Sequence, residues 1–451
     1  MKKTADFIIV GAGYAGLMCA LTLAKSGADI LVVDAQPIGG NQNSLLGHTQ
    51  SAISGGHVVV GFSQDFDTIE KKYGVDYAYK LWRLSVEGLN LVEKNCTDMG
   101  GAGFLRGYHI LARNKRDEEA IIQTFAERKK YGILESQIRL LDKNETKSYL
   151  TSPEFQGTSL YSTLSGQLEP KDYVMGLARM AEKANVKFKA LTRISKFNIL
   201  KNSMELITES GDVLSAPKII ISGGSGVLRG GFFPVMRKYQ AVVGNYALKT
   251  EILPQAVIDK IFPSGYRGAF SDMRRSDVLY ARLDNQKRLD FGAYSFSGNH
   301  PNSEAVIKLL YKTFPQLLNA NISISEGRYG FLVGTRTETM QLFQSDTKGR
   351  LSSRNYFDNE SPLTILSAFG AAGINLGTTT GYATAEAMLG NPEKINLLAR
   401  IEHPKLPVTF PWEGANQWRD YTLTKALSII DIGSSNQGFI GAGCRLLQRL
   451  V

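Results

Sequence analysis

Residues Asp6 to Asp34 read DFIIVGAGYAGLMCALTLAKSGADILVVD, and the order of apolar runs and glycines in this stretch decides the fold. Phe7 to Val10 is a short apolar run, as expected of a strand buried on both faces. It empties into Gly11-Ala12-Gly13-Tyr14-Ala15-Gly16, which opens an amphipathic run ending near Lys25 with Gly27 behind it. A second apolar run, Ile30 to Val33, closes at Asp34. Each part has a mechanical reason in a unit that binds a dinucleotide. Gly11 allows the tight turn, Gly13 lets backbone approach a pyrophosphate, and Gly16 lets the helix pack close to the strand. The helix start offers unpaired N–H groups and a partial positive charge to the phosphates. Asp34 lies 18 residues beyond Gly16, with Ala35 beside it, where a carboxylate meets the ribose hydroxyls. An acid here disfavours a 2′-phosphate, so FAD or NAD is expected before NADP. Starting at residue 7, the unit leaves no room for another domain ahead of it.

The 451 residues are enough for two or three domains, and 43% hydrophobic with 21% charged residues is an ordinary globular balance. No run of about 18 uncharged apolar residues occurs, so a spanning helix is not expected. Met1-Lys2-Lys3 precedes a short apolar run broken by glycines, which is a first strand with a basic flank and no secretory signal. Three scattered cysteines, Cys19, Cys96 and Cys444, show no metal spacing and suit a reducing cytoplasm. The net charge of +10 admits a nucleic acid, an anionic membrane or an acidic substrate. Its positive residues are scattered, with short clusters such as Arg128-Lys129-Lys130 and Arg274-Arg275, so no nucleic-acid partner is expected.

Beyond Asp34, Gln36 to His48 is a glycine- and amide-rich loop that includes Gln42, Asn43 and Ser44. Residues 64 to 96 read as helix, with Leu81, Leu84, Leu89 and Val92 near one face, and 116 to 131 as a second helix. Tyr108 to Ala112 reads as a strand, and Thr151 to Gly166 as a turn-rich segment. A helix follows from Lys171 to about Ala184, then strands from Val186 to Ile207. Lys218 to Ile221 is another buried apolar strand, emptying into Gly223 and Gly224. Tyr239 to Phe296 is a series of short strands rich in aromatics, Ala305 to Phe314 a helix, and Ile322 to Arg336 strand-like. Leu363 to Ser367 leads through Gly370 and Gly373 into a small-residue helix reaching Met388. This is the third strand–glycine–helix junction. For all three to meet one ligand, the cofactor domain must be discontinuous, with the intervening segments forming a second domain.

On these residues the chain resembles the D-amino-acid oxidase superfamily of FAD-dependent oxidoreductases, of the glycine/sarcosine oxidase and γ-glutamylputrescine oxidase type. The resemblance covers roughly residues 5 to 392. It rests on the opening fingerprint, Gly107 to Ala112 (GYHILA), Leu168 to Leu177 (LEPKDYVMGL), Lys218 to Gly224 and Gly370 to Leu389. The family's strand ending Gly-x-Arg-Pro-x-Thr-x-Asp is similar to Gly334-Thr335-Arg336-Thr337-Glu338-Thr339-Met340-Gln341, without the proline and aspartate. The resemblance implies an α/β architecture: a Rossmann-type FAD-binding domain with an inserted, mostly antiparallel α+β substrate domain. The segments expected are 1–62, 155–232 and 360–400 for FAD, 63–154 and 233–359 for substrate, and 401–451 as a C-terminal extension.

It further implies hydride transfer from a C–H beside an amine nitrogen to flavin N5, with the imine then hydrolysed and oxygen or another acceptor reoxidising the flavin. Arg336 is the implied guanidinium fork for a substrate carboxylate, against a structural ion pair to an acid such as Glu338. Tyr246, Tyr280 and Tyr329 are candidate pocket walls or plain packing. Arg282 reads as a surface arginine rather than a second anion contact. For the cofactor, the implied set is the fingerprint with Asp34, Ala35, Gln42, Asn43 and Ser44, then Ile194, Gly223, Gly224, Gly370, Gly373, Ile374 and Asn375. His48 and Cys444 lie outside the contexts of flavin-linked relatives, so FAD is expected to be non-covalent; separately, Phe369 stands near the place of the family's usual histidine. The tail, with Pro404, Pro407, Pro411, Trp412 and Trp418, reads as docking on the flavin domain, packing a homo-oligomer, or touching a membrane surface. The first expectation is an oxidase of a small carboxylated amine or amino acid. A dehydrogenase feeding a quinone or carrier, a tRNA-modifying flavin module and a non-catalytic flavin-binding protein are the competing readings.

Overall fold

The computed structural model describes residues 4–39, 50–61, 66–200, 203–272, 278–294, 303–335, 337, 339–346 and 348–406. Four of the apolar runs become strands of one sheet. Its order is Leu351–Arg354, Gln341–Ser345, Leu363–Ser367, Lys218–Ile221, Phe7–Val10, Ile30–Val33, Lys187–Lys189. Phe7–Val10 is parallel to both Ile30–Val33 and Lys218–Ile221, and the latter is parallel to Leu363–Ser367. Parallel strands covered on both faces need apolar side chains on both, which is why FIIV, ILVV and KIII are continuous runs. Their registers pair Val10 with Ile221 and Val33, and Ile221 with Ile365. The three glycine junctions therefore leave the same edge of neighbouring strands.

One face of this sheet carries the helices Tyr14–Ala24, Val75–Asp98, Pro170–Lys183 and Gly373–Met388, joined in a common apolar core. Gly377 and Gly381, one helical turn apart, let the last of these helices lie against the first. A Cβ on Gly381 would stand 2.2 Å from the Ala15 carbonyl oxygen. Such contact depends on having no side chain at that position.

The second sheet runs Ile324–Thr335, Gln240–Thr250, Leu289–Tyr294, Leu279–Leu283, Ala269–Asp272, Leu105–Leu111, Ser159–Gln167, His57–Val58, with Ile138–Leu141 also on Ser159–Gln167. It is antiparallel apart from the pair Ala269–Asp272 with Leu105–Leu111. Helices Gln255–Ile261, Ser303–Thr313 and Pro315–Asn319 cover one face with Leu248, Phe270, Phe291 and Phe314. A small sheet of Ile194–Ile199, Met204–Thr208 and Val213–Ala216 flanks the first.

Three expectations are corrected. The segment expected to be turn-rich contains the nine-residue strand Ser159–Gln167, mostly buried and paired on both sides. Its serines and glycine satisfy their backbone through the ladder, so small polar residues here mean a buried strand rather than a loop. The helix expected from 64 to 96 is two, Phe66–Tyr73 and Val75–Asp98, divided at Gly74, whose φ of +91° no helix accommodates. Sheet membership also moves two segments: Ser159–Gln167 belongs to the second sheet, whereas Gln341–Ser345 and Leu351–Arg354 extend the first.

Candidate active site

Gly11 turns with φ +109°, and a Cβ there would lie 2.8 Å from the Ser222 carbonyl carbon. The end of the first strand and the end of Lys218–Ile221 are thus in direct backbone contact, reinforced by Ser222 N–H donating to Val10 O at 2.8 Å. A Cβ on Gly16 would sit 1.9 Å from the Gly11 carbonyl oxygen, so the helix beginning at Tyr14 lies tight on the turn. Asp34 caps the next strand: Oδ2 accepts from Ala12 N–H at 2.7 Å and Oδ1 from Gln36 N–H at 2.8 Å. Burial raises its pKa against those two bonds. Ala35 follows, half-buried, and Thr192 N–H donates to Asp34 O at 2.8 Å, which brings Ile194 against Leu31 and Val33.

The short helix Gln50–Ile53 lies over this edge. Ser51 Oγ accepts from Tyr14 N–H at 3.3 Å and would meet a Cβ on Gly13 at 2.8 Å. Gln50 Oε1 would lie 3.0 Å from a Cβ on Gly224, and Gln50 Nε2 is buried with no hydrogen-bond partner among the described residues. Tyr14 turns its side chain inward. Its hydroxyl donates to Ser51 O and meets Ser54 Oγ at 3.2 Å, while its ring packs on Tyr173. Burial pushes its pKa up, so it stays a neutral phenol. Its backbone N–H goes to Ser51 Oγ, and its side chain fastens residues 51–54. Gln50, Ser51 and Ser54 escaped the sequence reading, although QSAISGG repeats the pattern of small polar residues running into glycines. Gln42, Asn43 and Ser44 lie outside the described residues.

At the third junction Gly370 has φ +54°, and Gly373 starts the helix reaching Met388 with Ile374 buried behind it. Asn375 Nδ2 donates to Val59 O and Ser85 O, both at 2.9 Å, and its Oδ1 meets Thr379 Oγ1 at 3.2 Å. Its side chain is spent inside the protein and is not available to a ligand. The first helix start, the buried carboxylate of Asp34, the unpartnered Gln50 amide and the glycine cradle together fit a dinucleotide.

The three candidate tyrosines do not form one wall. Tyr246 stands opposite Tyr329 and packs toward the helix-covered face of the second sheet. Tyr280 stands opposite Gly292, which pairs with Ala247, one residue out of step with Tyr246. With a side-chain period of two, that places Tyr280 on the other face. Its hydroxyl donates to Asn245 Oδ1 at 2.7 Å, and burial raises its pKa. Tyr329 instead packs edge-on against Phe331, itself under the Arg229 guanidinium.

The Tyr280 face looks toward the first sheet and is strongly polar. Ile53 covers Gly330 on it, and a Cβ on Gly55 would meet the Tyr280 ring at 2.5 Å. Arg282, 1% exposed, is buried on this face, which corrects its reading as a surface arginine. Nη1 and Nη2 reach the two Glu169 oxygens at 2.8 and 3.0 Å, and Nε donates to Gly55 O at 2.9 Å. Asp290 bridges Arg282 to Arg328, and Lys249 pairs with Asp284 at 3.0 Å. Burial alone would raise the pKa of Glu169, but the Arg282 fork holds it below the usual range. Arg282, Arg328 and Lys249 face four carboxylates, since Glu326 also pairs with Arg328 at 3.7 Å, so the network supplies no net attraction for an anion. Arg336 lies outside the described residues. On either side of it, Thr337 Oγ1 meets Thr335 and Thr339 hydroxyls at 3.2 and 3.0 Å and His403 Nδ1 at 2.8 Å, while His403 Nε2 donates to Met340 O. Lys72 also pairs with Glu402, so residues 401–406, the start of the C-terminal extension, dock on the body; the rest of the extension lies outside the described residues. Among the described residues no helix is long and apolar enough to cross a membrane, and no group of acidic, histidine and cysteine side chains is arranged for a metal.

The family described as FAD dependent oxidoreductase matches residues 6–387. The chain is 27% identical over 406 residues to a probable oxidoreductase OrdL of Haemophilus influenzae, covering 89% of this chain and 87% of that protein. It is 24% identical over 408 residues to gamma-glutamylputrescine oxidoreductase of Escherichia coli, covering 90% and 88%. Glycine oxidase from Bacillus cereus superposes with a TM-score of 0.65 at 16% identity, over 88% of this chain and 99% of that one. An L-amino acid deaminase from Proteus vulgaris gives 0.64 at 16% identity, over 89% and 95%.

Proposed function

The chain belongs to the FAD-dependent oxidoreductase family, and from that premise we propose that it oxidises the C–N bond of a small carboxylated amine or amino acid in the cytoplasm, as an oxidase. It is an FAD-dependent enzyme of the kind that acts on amines or amino acids. When bound, FAD supplies a hydride acceptor for the carbon beside the nitrogen and passes the electron pair to oxygen, giving an imine and hydrogen peroxide.

The observation that carries this reading is the convergence of Gly11, Gly223 and Gly370 on one edge, beneath the polar face of a second sheet. Gly13, Ala15 and Gly16 open the helix whose free N–H groups suit a pyrophosphate, and Asp34 suits the ribose. Gln50 brings an unpaired amide to the same edge. Tyr280 and Asn245 offer a hydroxyl–amide pair on the face above. Arg336, in its Gly-x-Arg setting, is assigned the substrate carboxylate, and FAD is held without a covalent bond.

A panel of amino acids and polyamine derivatives, screened anaerobically for bleaching of the yellow protein and then for peroxide on admitting air, tests the reading. Arg336→Ala is expected to raise KM for carboxylated substrates about a hundred-fold while leaving the flavin spectrum unchanged. Unchanged KM removes the anchor assignment. Bleaching without peroxide removes the oxidase.

A further inference from the structure

Gly55-Gly56-His57 forms a turn in the seam between the two sheets. Arg282 Nε holds the Gly55 carbonyl at 2.9 Å, and a Cβ on Gly56 would lie 2.4 Å from Leu168 O, so the turn is fixed from both sides. His57 is the first residue after it with a long side chain. The imidazole stands edge-on to Tyr108 and Tyr280, with ring centroids 5.5 and 5.1 Å away. Nδ1 lies 3.1 Å from the Tyr108 hydroxyl, whereas Nε2 is buried with no hydrogen-bond partner among the described residues.

The protonation pattern follows from the neighbours. Burial lowers the His57 pKa to about 3, so the ring is neutral and carries one proton. Taking the neutral Tyr108 phenol as the donor to Nδ1 accounts for the 3.1 Å contact. The single imidazole proton is then on Nε2, and that N–H lacks an acceptor. A buried donor in this condition is costly unless something in the working protein takes it.

Two other buried histidines sharpen the contrast. His403 uses both nitrogens, on Thr337 and on the Met340 carbonyl. His109 also has an unpaired Nε2, but its ring is enclosed by Tyr149, Tyr161 and Tyr266 at 4.9, 4.8 and 4.7 Å. It neighbours Tyr108 in the same strand and so points to the opposite face of the sheet. Among these three, only His57 presents an unpaired nitrogen in the seam.

We propose that His57 is a ligand-contacting residue of the oxidation, its Nε2–H donating to an acceptor oxygen of what fills the seam. That oxygen is either a ring carbonyl of the flavin or the carboxylate of the substrate. The assignment rests on the reading that the seam holds FAD and a carboxylated substrate, and it adds a contact that this reading does not require.

The test uses the FAD-loaded protein and its apoprotein as wild type, His57→Leu and His57→Gln. FAD dissociation constants come from flavin fluorescence on reconstitution, and those of propionate, an unreactive carboxylate, from perturbation of the flavin absorption band. His57→Leu is expected to weaken one of the two by about ten-fold, and His57→Gln, which keeps an N–H at similar reach, to restore it to within about three-fold. Loss of FAD affinity identifies the flavin carbonyl as the acceptor, and loss of propionate affinity alone identifies the substrate carboxylate. Unchanged constants in His57→Leu, or a Gln variant as impaired as Leu, overturn the proposal. If His57→Leu does not fold, Tyr108→Phe takes its place. It releases Nδ1 to compete for the proton, and the same constant is expected to rise about three-fold, an unchanged value being the overturning result. A wild-type protein that binds no FAD sinks the broader reading instead.

Discussion

Arg282 grips Glu169 with both ends of its guanidinium, Nη1 to Oε1 at 2.8 Å and Nη2 to Oε2 at 3.0 Å. Glu169 is the N-cap of the helix Pro170–Lys183, which packs on the first sheet, and Arg282 is in the second. The pair therefore joins the two halves of the molecule, and through Gly55 O it also sets the turn that presents His57. A buried pair of this kind contributes little net stability, because desolvation offsets its attraction. Removing one partner is a different matter.

Arg282→Met strips the Glu169 carboxylate of its guanidinium, while Asp290 keeps Arg328. We expect a loss of about 3–5 kcal/mol in urea unfolding. Adding Glu169→Gln to it should recover a substantial part, because the stranded charge is gone. Additive losses would show that the two residues act independently.

The contact between Ala15 and Gly381 leaves no room for a methyl group. Gly381→Ala should cost about 1–3 kcal/mol, since neither helix backbone can yield cheaply. Gly226→Ala is the control, for a Cβ there meets nothing within 4 Å. Replacing glycine in that helix should be neutral or stabilise by up to about 1 kcal/mol. Melting temperatures of the two variants measure the difference, and equal values would contradict it.

Burial holds His109 down to about 3 and His403 down to about 4, below the ordinary 6.5. The folded protein keeps both neutral while the unfolded chain begins to bind protons near 6.5. Between about 4 and 6.5 the unfolded state thus carries more protons, so stability falls as pH falls and is level above that window. Each histidine contributes a slope of up to about 1.4 kcal/mol per pH unit there. His403→Gln keeps an amide donor for Met340 and an acceptor for Thr337 but cannot titrate. Its urea midpoint should drop less than that of wild type between pH 7.5 and 5, and an identical drop would remove His403 from the account.

Asp34→Asn retains an oxygen for the Ala12 N–H but loses the charge that strengthens hydrogen bonds from ribose hydroxyls. FAD affinity should fall about ten- to hundred-fold, and because an amide at this position has no second oxygen for the Gln36 N–H, the apoprotein should also lose about 1–3 kcal/mol. Fluorescence titration of apoprotein decides it, and wild-type affinity in this variant would place the ribose elsewhere.

Part of this architecture is written locally. A turn with φ +109° pressed on a neighbouring backbone admits glycine, and a strand buried on both faces is continuously apolar, so Gly11, Gly16 and the runs FIIV, ILVV and KIII were legible one by one. Their order along the chain was enough to require a discontinuous cofactor unit. The boundaries were less legible: nothing within SLYSTLSGQ says which strands will flank it, and hydrogen-bond partners rather than composition make it a buried strand.

The face a side chain occupies is set by register, and register is a property of two segments together. Tyr246, Tyr280 and Tyr329 look equivalent along the chain, yet one residue of offset across Leu289–Tyr294 sends Tyr280 to the opposite side. Arg282 has the composition of a surface residue and becomes buried because Glu169, 113 residues away, brings it a matching carboxylate. The sequence alone determined which backbone positions must be glycine or apolar, since those demands arise within a few residues. The tertiary structure alone decided which polar groups meet, because a charge or a lone nitrogen acquires its meaning only from partners that distant segments supply.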